Sequence, residues 1–322
     1  EEARSIEFWY EGIHPEDRAR VLAGVRELID SGGSNWSDEY RFQRKDGSYA
    51  TVHDRSLVIH DSTRRPVRVI GAMVDITERK EAERRARLHA QANQALARLG
   101  EFALRANDLD QVFGEAVRAL LAIRCDVATV MEQTGAYEFM VGAGAGEGAE
   151  AAIGKRNSVY QDTKWPAANN RGATVVSDRA HYESRSADRP WSFWRRRMGS
   201  GVYVPLQGER GPFGVLGMNS LRDQAFSEDD LRFAEAVANV LSASVRRHQI
   251  ESRLAYMAEF DALTGLPNRN LLQDRLTQTV AQAHRRGEQG AVLFIDLDRF
   301  KLINDTLGHH VGDALIAEVG RR

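Results

Sequence analysis

Two carboxylates stand where an apolar run ends, close to the C-terminal end of the sequence. The run Ala-Val-Leu-Phe-Ile begins at Ala291 and stops at Asp296, and a second carboxylate follows at Asp298. The pattern predicts a buried strand over Ala291–Leu297. Carboxylates that alternate at the end of such a strand share one face, where ligands of α/β sheets collect. Hard oxygen ligands of this kind suit Mg²⁺ bound together with the phosphates of a substrate.

Polar side chains continue this pattern downstream. Lys301 adds a positive charge, and Asn304, His309 and Asp313 follow at helix-like intervals. Gly308 and Gly312 are expected to form sharp turns between them. An Asn and an Asp that face one pocket can hydrogen-bond the edge of a guanine, with the Asp accepting from N–H groups.

Structural roles compete with this interpretation for single residues. Asp298 and Asp305 are equally suited to capping helices. His309 taken alone is more typical of a surface turn than of a ligand, and Phe300 is as well suited to a core as to a nucleotide site.

Two long motifs resemble the first half of a GGDEF domain, the diguanylate cyclase family. The first is Asp-Ala-Leu-Thr-Gly-Leu-Pro-Asn-Arg at Asp261–Arg269, and the second runs from Phe294 through Asp-Leu-Asp-Arg-Phe-Lys to His-His-Val-Gly-Asp at Asp313. A helix over Leu271–Arg286 and a helix–turn–helix at the end are expected around them. Asp261 and Arg269 match the opening motif of the family, whose role is more structural than catalytic.

The resemblance implies a reaction and a site. The family joins two GTP molecules, one per subunit, into cyclic di-GMP, with Mg²⁺ or Mn²⁺ at the phosphates. Each 3′-hydroxyl attacks the α-phosphate of the other nucleotide and pyrophosphate leaves. The matched positions are Asp296 as catalytic metal ligand with the Leu297 carbonyl, Phe300 and Lys301 around the GTP phosphates, and Asn304, His309 and Asp313 for substrate binding.

The sequence departs from the family at one point. It contains no Gly-Gly-Asp/Glu-Glu-Phe string, the motif that supplies the second metal-binding carboxylate in the family. We therefore expect a fragment that is inactive alone and whose parent is a diguanylate cyclase. The alternative is a degenerate GTP-binding GGDEF domain that regulates a downstream cyclic di-GMP phosphodiesterase (EAL) domain.

The bulk composition is that of folded, soluble domains. The 322 residues carry a formal net charge of -2, which argues against a nucleic-acid partner. The single cysteine, Cys125, excludes an intramolecular disulfide and fits a reducing, cytoplasmic compartment. No segment has the length of apolar sequence that a membrane span requires. Because the chain does not begin with Met, an upstream membrane anchor stays open.

The N-terminal residues 1–77 resemble the later part of a PAS sensor domain. Pro15 opens a predicted helix, and strand-like stretches follow at 36–44, 49–59 and 67–76. The motifs that carry the resemblance are Tyr10–Arg18, Glu39–Ser48 and the junction Val74–Lys80. The first strands of the fold are expected to be missing.

Residues 96–248 resemble a GAF sensor domain. The prediction is a helix from Leu109, a strand over 125–131, a long irregular middle over 134–197, and strands over 201–206 and 214–220. The resemblance rests on Val204–Gln207, Gly214–Ser220 and Phe226–Leu231. Aromatic residues of the middle are suited to lining a small pocket or to packing a core: Trp165, His181, Tyr182, Trp191, Phe193 and Trp194. The PAS and GAF ligands stay unassigned.

Helices are predicted to join these parts. Residues 78–95 and 249–260 read as signalling helices, and residues 261–322 as the N-terminal part of the GGDEF domain. Apolar residues of the second helix suggest a homodimer seam with an imperfect heptad: Val237, Leu241, Val245, Ile250, Leu254 and Met257. The alternative is one helix that packs on its own domain.

The predicted fold class is α+β multidomain, with a PAS-like sheet, an antiparallel GAF sheet with flanking helices, and a partial cyclase-like α/β domain. The predicted function is sensory signal transduction, in which a ligand or partner shifts the helices and so controls cyclic di-GMP synthesis. A further alternative is that PAS and GAF act only as interaction and dimerisation modules.

Overall fold

The computed structural model describes residues 6–63, 65–122, 125–136, 138–158, 172–178 and 198–322. The chain divides into two compact units, Glu1–Gln94 and Ala95–Arg322. Each unit is described by itself below.

The first unit is a helical segment followed by an antiparallel meander. Its elements are α1 (Ile6–Gly12), α2 (Pro15–Asp30), β1 (Asn35–Gln43), β2 (Tyr49–His60) and β3 (Pro66–Asp75), and the sheet order is β1-β2-β3. This agrees with the predicted helix and strands. The strand β3 has only exposed residues.

Local chemistry explains where these elements begin. Pro15 occupies the first turn of α2, and the His14 side chain accepts a hydrogen bond from the Glu16 backbone N–H at 3.3 Å. Between β1 and β2, the Asp46 carboxylate accepts from the Ser48 backbone N–H at 2.9 Å, and Gly47 takes φ 86°. The core beneath the sheet consists of buried residues from both helix and strands: Ile13, Val21, Tyr40, Ala50 and Val52.

The helix α3 (Thr77–Arg105) contains the boundary between the two units. The Asp75 carboxylate caps its start by accepting from the Thr77 backbone N–H at 2.9 Å. The predicted helix of the Glu/Arg/Lys-rich segment is therefore confirmed, whereas the domain boundaries placed within it stay predictions.

The second unit contains a six-stranded antiparallel sheet in its described part. The elements are α4 (Leu109–Leu121), β4 (Val127–Gly135), β5 (Glu138–Gly146), β6 (Arg156–Ser158), β7 (Val175–Asp178), β8 (Ser200–Gln207), β9 (Pro212–Ser220) and α5 (Glu228–Glu259). The strand order is β6-β5-β4-β9-β8-β7. The helices α4 and α5 pack on this sheet and on each other. Ser227 and Asp230 form a reciprocal capping box at the start of α5.

The prediction of an irregular stretch over 134–197 is wrong for β5, β6 and β7. Glu138–Gly146 is a strand that pairs with β4 along most of its length. Phe139 and Val141 alternate inward and favour a strand, whereas the Gly-Ala run over 142–146 has little strand preference of its own and pairs with β4. The aromatic residues named for the predicted pocket lie outside the described residues.

The C-terminal part contains α6 (Arg269–Arg286), α7 (Phe300–Leu307) and α8 (His309–Arg321), as the helix predictions required. The strand predicted over Ala291–Leu297 is wrong, because this segment is irregular and Phe294 is 95% exposed. A strand needs a neighbour for its backbone N–H and C=O groups, and no described residue pairs with this segment.

No helix among the described residues combines the length and apolar composition that a bilayer crossing demands.

Candidate functional site

The opening motif of the C-terminal segment forms a cap between two helices. The Asp261 carboxylate accepts from the Thr264 backbone N–H at 2.9 Å and its hydroxyl at 2.8 Å, and these bonds hold the pKa of Asp261 below its usual value. Asn268 accepts from the backbone of Asn270 at 3.0 Å and donates to the Ala258 carbonyl at 2.8 Å. Asn268 therefore connects the end of α5 to the start of α6, a structural role for this motif.

The two metal-ligand candidates lie just before α7. The Asp296 side chain is exposed on the irregular segment. The Leu297 carbonyl accepts a long hydrogen bond, 3.3 Å, from the Phe300 backbone N–H, and Arg299 between them takes φ 59°. This left-handed residue turns the chain from the carboxylate into α7.

The helices α7 and α8 bring three predicted positions together. Gly308, with φ 87°, is the turn between the helices, as expected. Gly312 is not a turn, because it lies inside α8 and is buried there. A Cβ atom at Gly312 would overlap the Asn304 side-chain oxygen and approach the Phe300 ring to 3.2 Å. The missing side chain is thus what lets Asn304 pack against α8 at Gly312, the residue before Asp313.

The Asn304 side-chain oxygen is buried and accepts no hydrogen bond within the described structure. Buried polar atoms without a partner are uncommon, and this one is packed against Gly312. Asp313 is exposed one residue beyond Gly312, and His309 lies one turn earlier on α8. An amide oxygen and a carboxylate are the acceptors that the N–H groups of a guanine edge require.

Gly312 is the residue whose role the sequence interpretation missed. A glycine within a helical pattern signals close packing as often as a turn. Gly312 follows Asn304 by eight residues, and this spacing alone does not distinguish packing from a turn.

The oxygen ligands of this segment provide only part of the coordination shell of a magnesium ion. No group of three His, Cys, Asp or Glu side chains able to hold a metal ion occurs within the described ranges. Asp296 and the Leu297 carbonyl supply two oxygens, and Mg²⁺ commonly takes the remainder from water and substrate phosphates. The residues therefore fit a metal that arrives with a nucleotide, rather than a preformed protein cage.

Three family models match consecutive segments of the chain. The model described as PAS fold matches residues 1–73, and the GAF domain model matches residues 106–246. The model described as diguanylate cyclase, GGDEF domain, matches residues 258–322. These are the three resemblances noted in the sequence, in the same order.

Curated relatives are similar over short stretches. The bifunctional diguanylate cyclase/cyclic di-GMP phosphodiesterase MucR of Pseudomonas aeruginosa is 51% identical over 88 residues, which are 27% of this chain and 13% of MucR. Diguanylate cyclase TpbB of the same species is 44% identical over 81 residues, 25% of this chain and 19% of TpbB. The chain thus spans about a fifth or less of the length of these relatives.

Among solved structures, the chain is similar to the GAF domain from a phosphoenolpyruvate-protein phosphotransferase of Coxiella burnetii. The match covers 51% of this chain and 98% of that domain. Its TM-score is 0.44 and its sequence identity 14%.

Proposed function

Because this chain joins PAS, GAF and GGDEF sequences in that order, we propose that it is the sensory part of a cyclic di-GMP signalling protein whose GGDEF domain acts on GTP. The observation that carries the proposal is the match of residues 258–322 to the diguanylate cyclase model. Asn304 and Gly312, which meet where the last two helices pack, both lie within this matched segment.

The nucleotide would be held at both of its ends. Asn304 and Asp313 accept hydrogen bonds from the guanine edge, and His309 contributes to the same substrate-binding stretch. Phe300 and Lys301 lie near the phosphates, where the ammonium group of Lys301 offsets negative charge. Magnesium (or manganese), when bound with GTP, neutralises charge that develops on the phosphates. Asp296 and the Leu297 carbonyl are the residues that would hold that ion when GTP is bound.

Signals would travel along α3 and α5, which the Arg247 side chain connects by hydrogen bonds. The Arg247 guanidinium, on α5, donates to the Ala103 carbonyl at 2.8 Å, the Leu104 carbonyl at 3.2 Å and the Ala106 carbonyl at 3.0 Å. These are carbonyls at the end of α3, which lack partners within their own helix. Movement of α3 is thereby transmitted to α5, and α5 leads to the Asp261 motif.

The predicted seam is wrong in its first half, because Val237, Leu241 and Val245 are buried within their own unit. The end of α5, in contrast, carries an exposed stripe that fits a second copy of the chain. Ile250, Leu254 and Met257 are 44%, 60% and 52% exposed, and their spacing places them on one face. We propose that two copies pair along this stripe, because each cyclase reaction requires one GTP from each subunit. Rotation of α5 would then change how the two GGDEF domains face each other.

The test is product formation by the protein that the complete gene encodes. Incubation with GTP and Mg²⁺, followed by mass spectrometry, should yield cyclic di-GMP, and ATP should yield no cyclic dinucleotide. Binding of GTP without any cyclic di-GMP would contradict the cyclase proposal.

A second candidate function follows from the bifunctional relative MucR. In that case the GGDEF domain binds GTP and regulates hydrolysis of cyclic di-GMP by another domain. The same reaction supplied with cyclic di-GMP separates the two functions, since only the second predicts that GTP changes the rate of its hydrolysis.

A further inference from the structure

A cavity of about 440 Å³ lies within the first unit, against the three-stranded sheet. Its size is that of sites for small organic molecules. Much of the lining is apolar or aromatic: Trp9, Val25, Leu28, Trp36, Val58 and Met73.

One carboxylate stands in this lining. The alternation of β2 places Asp54 on the inward face between Val52 and Val58, and its residue exposure is 4%. Its Oδ2 accepts from the Tyr40 hydroxyl at 2.6 Å, and its Oδ1 accepts from the Ser56 hydroxyl at 2.9 Å. Asp54 is the one titratable side chain in the described lining of the cavity.

The partners of Asp54 are neutral. No Lys, Arg or His of the described structure forms an ion pair with it, although a carboxylate offers about four acceptor positions. Two hydroxyl donors offset only part of the free energy that removing a carboxylate from water costs. A positive charge inside the cavity would therefore interact favourably with Asp54.

Aromatic rings surround the same carboxylate. The Trp9 indole N–H donates to the Tyr40 hydroxyl at 2.7 Å, which in turn donates to Asp54. Burial and the neighbouring Asp54 raise the pKa of Tyr40, so that its proton stays in this chain of hydrogen bonds. The Trp36 ring lies 6.2 Å from that of Trp9 and 6.0 Å from that of Tyr40. Indole rings attract organic cations, and both indoles line the same cavity as the buried carboxylate.

We propose that this cavity binds a small organic cation, an amine in its ammonium form. The ammonium group donates to Asp54, and the apolar part of the molecule lies against Trp9 and Trp36. The inference concerns only the first unit, so it holds or fails independently of any reaction at the GGDEF segment.

The test compares three probes of one shape on the full chain by calorimetry: benzylammonium, benzyl alcohol and benzoate. Benzylammonium should bind about tenfold more tightly than benzyl alcohol, and benzoate should bind most weakly. The Met73 methyl resonance should shift with benzylammonium, because Met73 lines the cavity.

Two variants with the same change of charge complete the test. Asp54→Asn keeps the shape of the side chain and should abolish the preference for benzylammonium over benzyl alcohol. Asp30→Asn, at the exposed end of α2, should leave it unchanged. Should Asp54→Asn fail to fold, the three probes on the unaltered chain still decide. Equal affinities for the cation and the alcohol, an unmoved Met73 resonance, or no millimolar binding of benzylammonium overturns the proposal.

Discussion

Asn304 owes its position to an atom that Gly312 lacks. The side-chain oxygen of Asn304 occupies the space in which any other residue at 312 would place its Cβ. The packing of α7 on α8 therefore depends on this pair of residues, one of which is the position proposed to recognise guanine. Sequence alone identified Asn304 through a resemblance, whereas the need for glycine opposite it appears only once the two helices are packed.

Gly312→Ala should therefore weaken GTP binding. The Asn304 side chain must rotate away from the new methyl group, which removes one acceptor from the guanine, and we expect a loss of about tenfold in affinity. Calorimetric titration of the complete gene product with GTP measures this. Gly100→Ala, in a helix where a Cβ meets no atom within 4 Å, is the matched control. Unchanged affinity in Gly312→Ala would separate Asn304 from base recognition.

Asp17 is one of the carboxylates through which pH should act on the first unit. The Arg41 guanidinium donates to both Asp17 oxygens at 2.9 Å, and its hydrogen bonds lower the pKa of Asp17 from 3.8 to about 2. Since the pKa is lower in the folded state, this stabilisation is complete above pH 3.8 and is lost as pH falls towards 2.

Asp17→Asn should destabilise the first unit by about 1 kcal/mol at pH 7, allowing for partial screening, and the difference should shrink towards pH 2. Hydrogen exchange of the β1 and β2 amides measures this local stability. Glu16→Gln alters a carboxylate that pairs with the same Arg41 but is 74% exposed, so its effect should be smaller. A cost for Asp17→Asn that does not vary with pH would contradict the assignment.

At the scale of elements, periodicity correctly predicted the helices and strands whose conformation is determined by their own residues. The capping box of Ser227 and Asp230 and the alternation of β2 are local signals, and both elements form as expected. The strand β5 was missed because its Gly-Ala run suggests a loop, although Phe139 and Val141 before that run alternate as in a strand. The segment Ala291–Leu297 was predicted as a strand because its composition suits one, but no described strand pairs with it.

The alternation of β2 also places a carboxylate among inward-facing apolar residues. In β2, Asp54 occupies an inward position in series with Ala50, Val52 and Val58. A carboxylate on the apolar face of a strand indicates either a buried hydrogen-bond network or a ligand, and the sequence alone cannot separate them.

The hydrogen bonds of Arg247 should stabilise the end of α3 against α5. Arg247→Met keeps the aliphatic stem but removes the donors to the end of α3, so amide exchange over residues 103–106 should accelerate by about tenfold or more. The neighbouring Arg246 makes one long hydrogen bond, 3.4 Å, to the Gln207 carbonyl, and Arg246→Met is the matched control. Equal exchange in both variants would show that α3 is held by packing alone.

At the scale of the whole molecule, the order of domains was readable because each carries its own motifs. The sequence does not establish that two copies pair, because an exposed stripe on one chain does not reveal its partner. Leu254→Cys provides the test, because the native Cys125 is buried, and burial raises the pKa of its thiol to about 12.

Oxidation of Leu254→Cys should give a covalent dimer, whereas Ser252→Cys, on the opposite face of α5, should remain largely monomeric on a denaturing gel. Equal cross-linking at both positions would indicate random collision rather than a helical seam.

The most direct test of the account is the dependence of cyclic di-GMP synthesis on Asp296. In the complete gene product, Asp296→Ala should lower the rate of synthesis from GTP and Mg²⁺ by at least about a hundredfold, because the carboxylate that orients the metal is lost. Glu288→Gln, an exposed carboxylate on the same segment, should retain the full rate. If Asp296→Ala makes cyclic di-GMP as fast as Glu288→Gln, Asp296 does not anchor the site and the proposed function of this segment is contradicted.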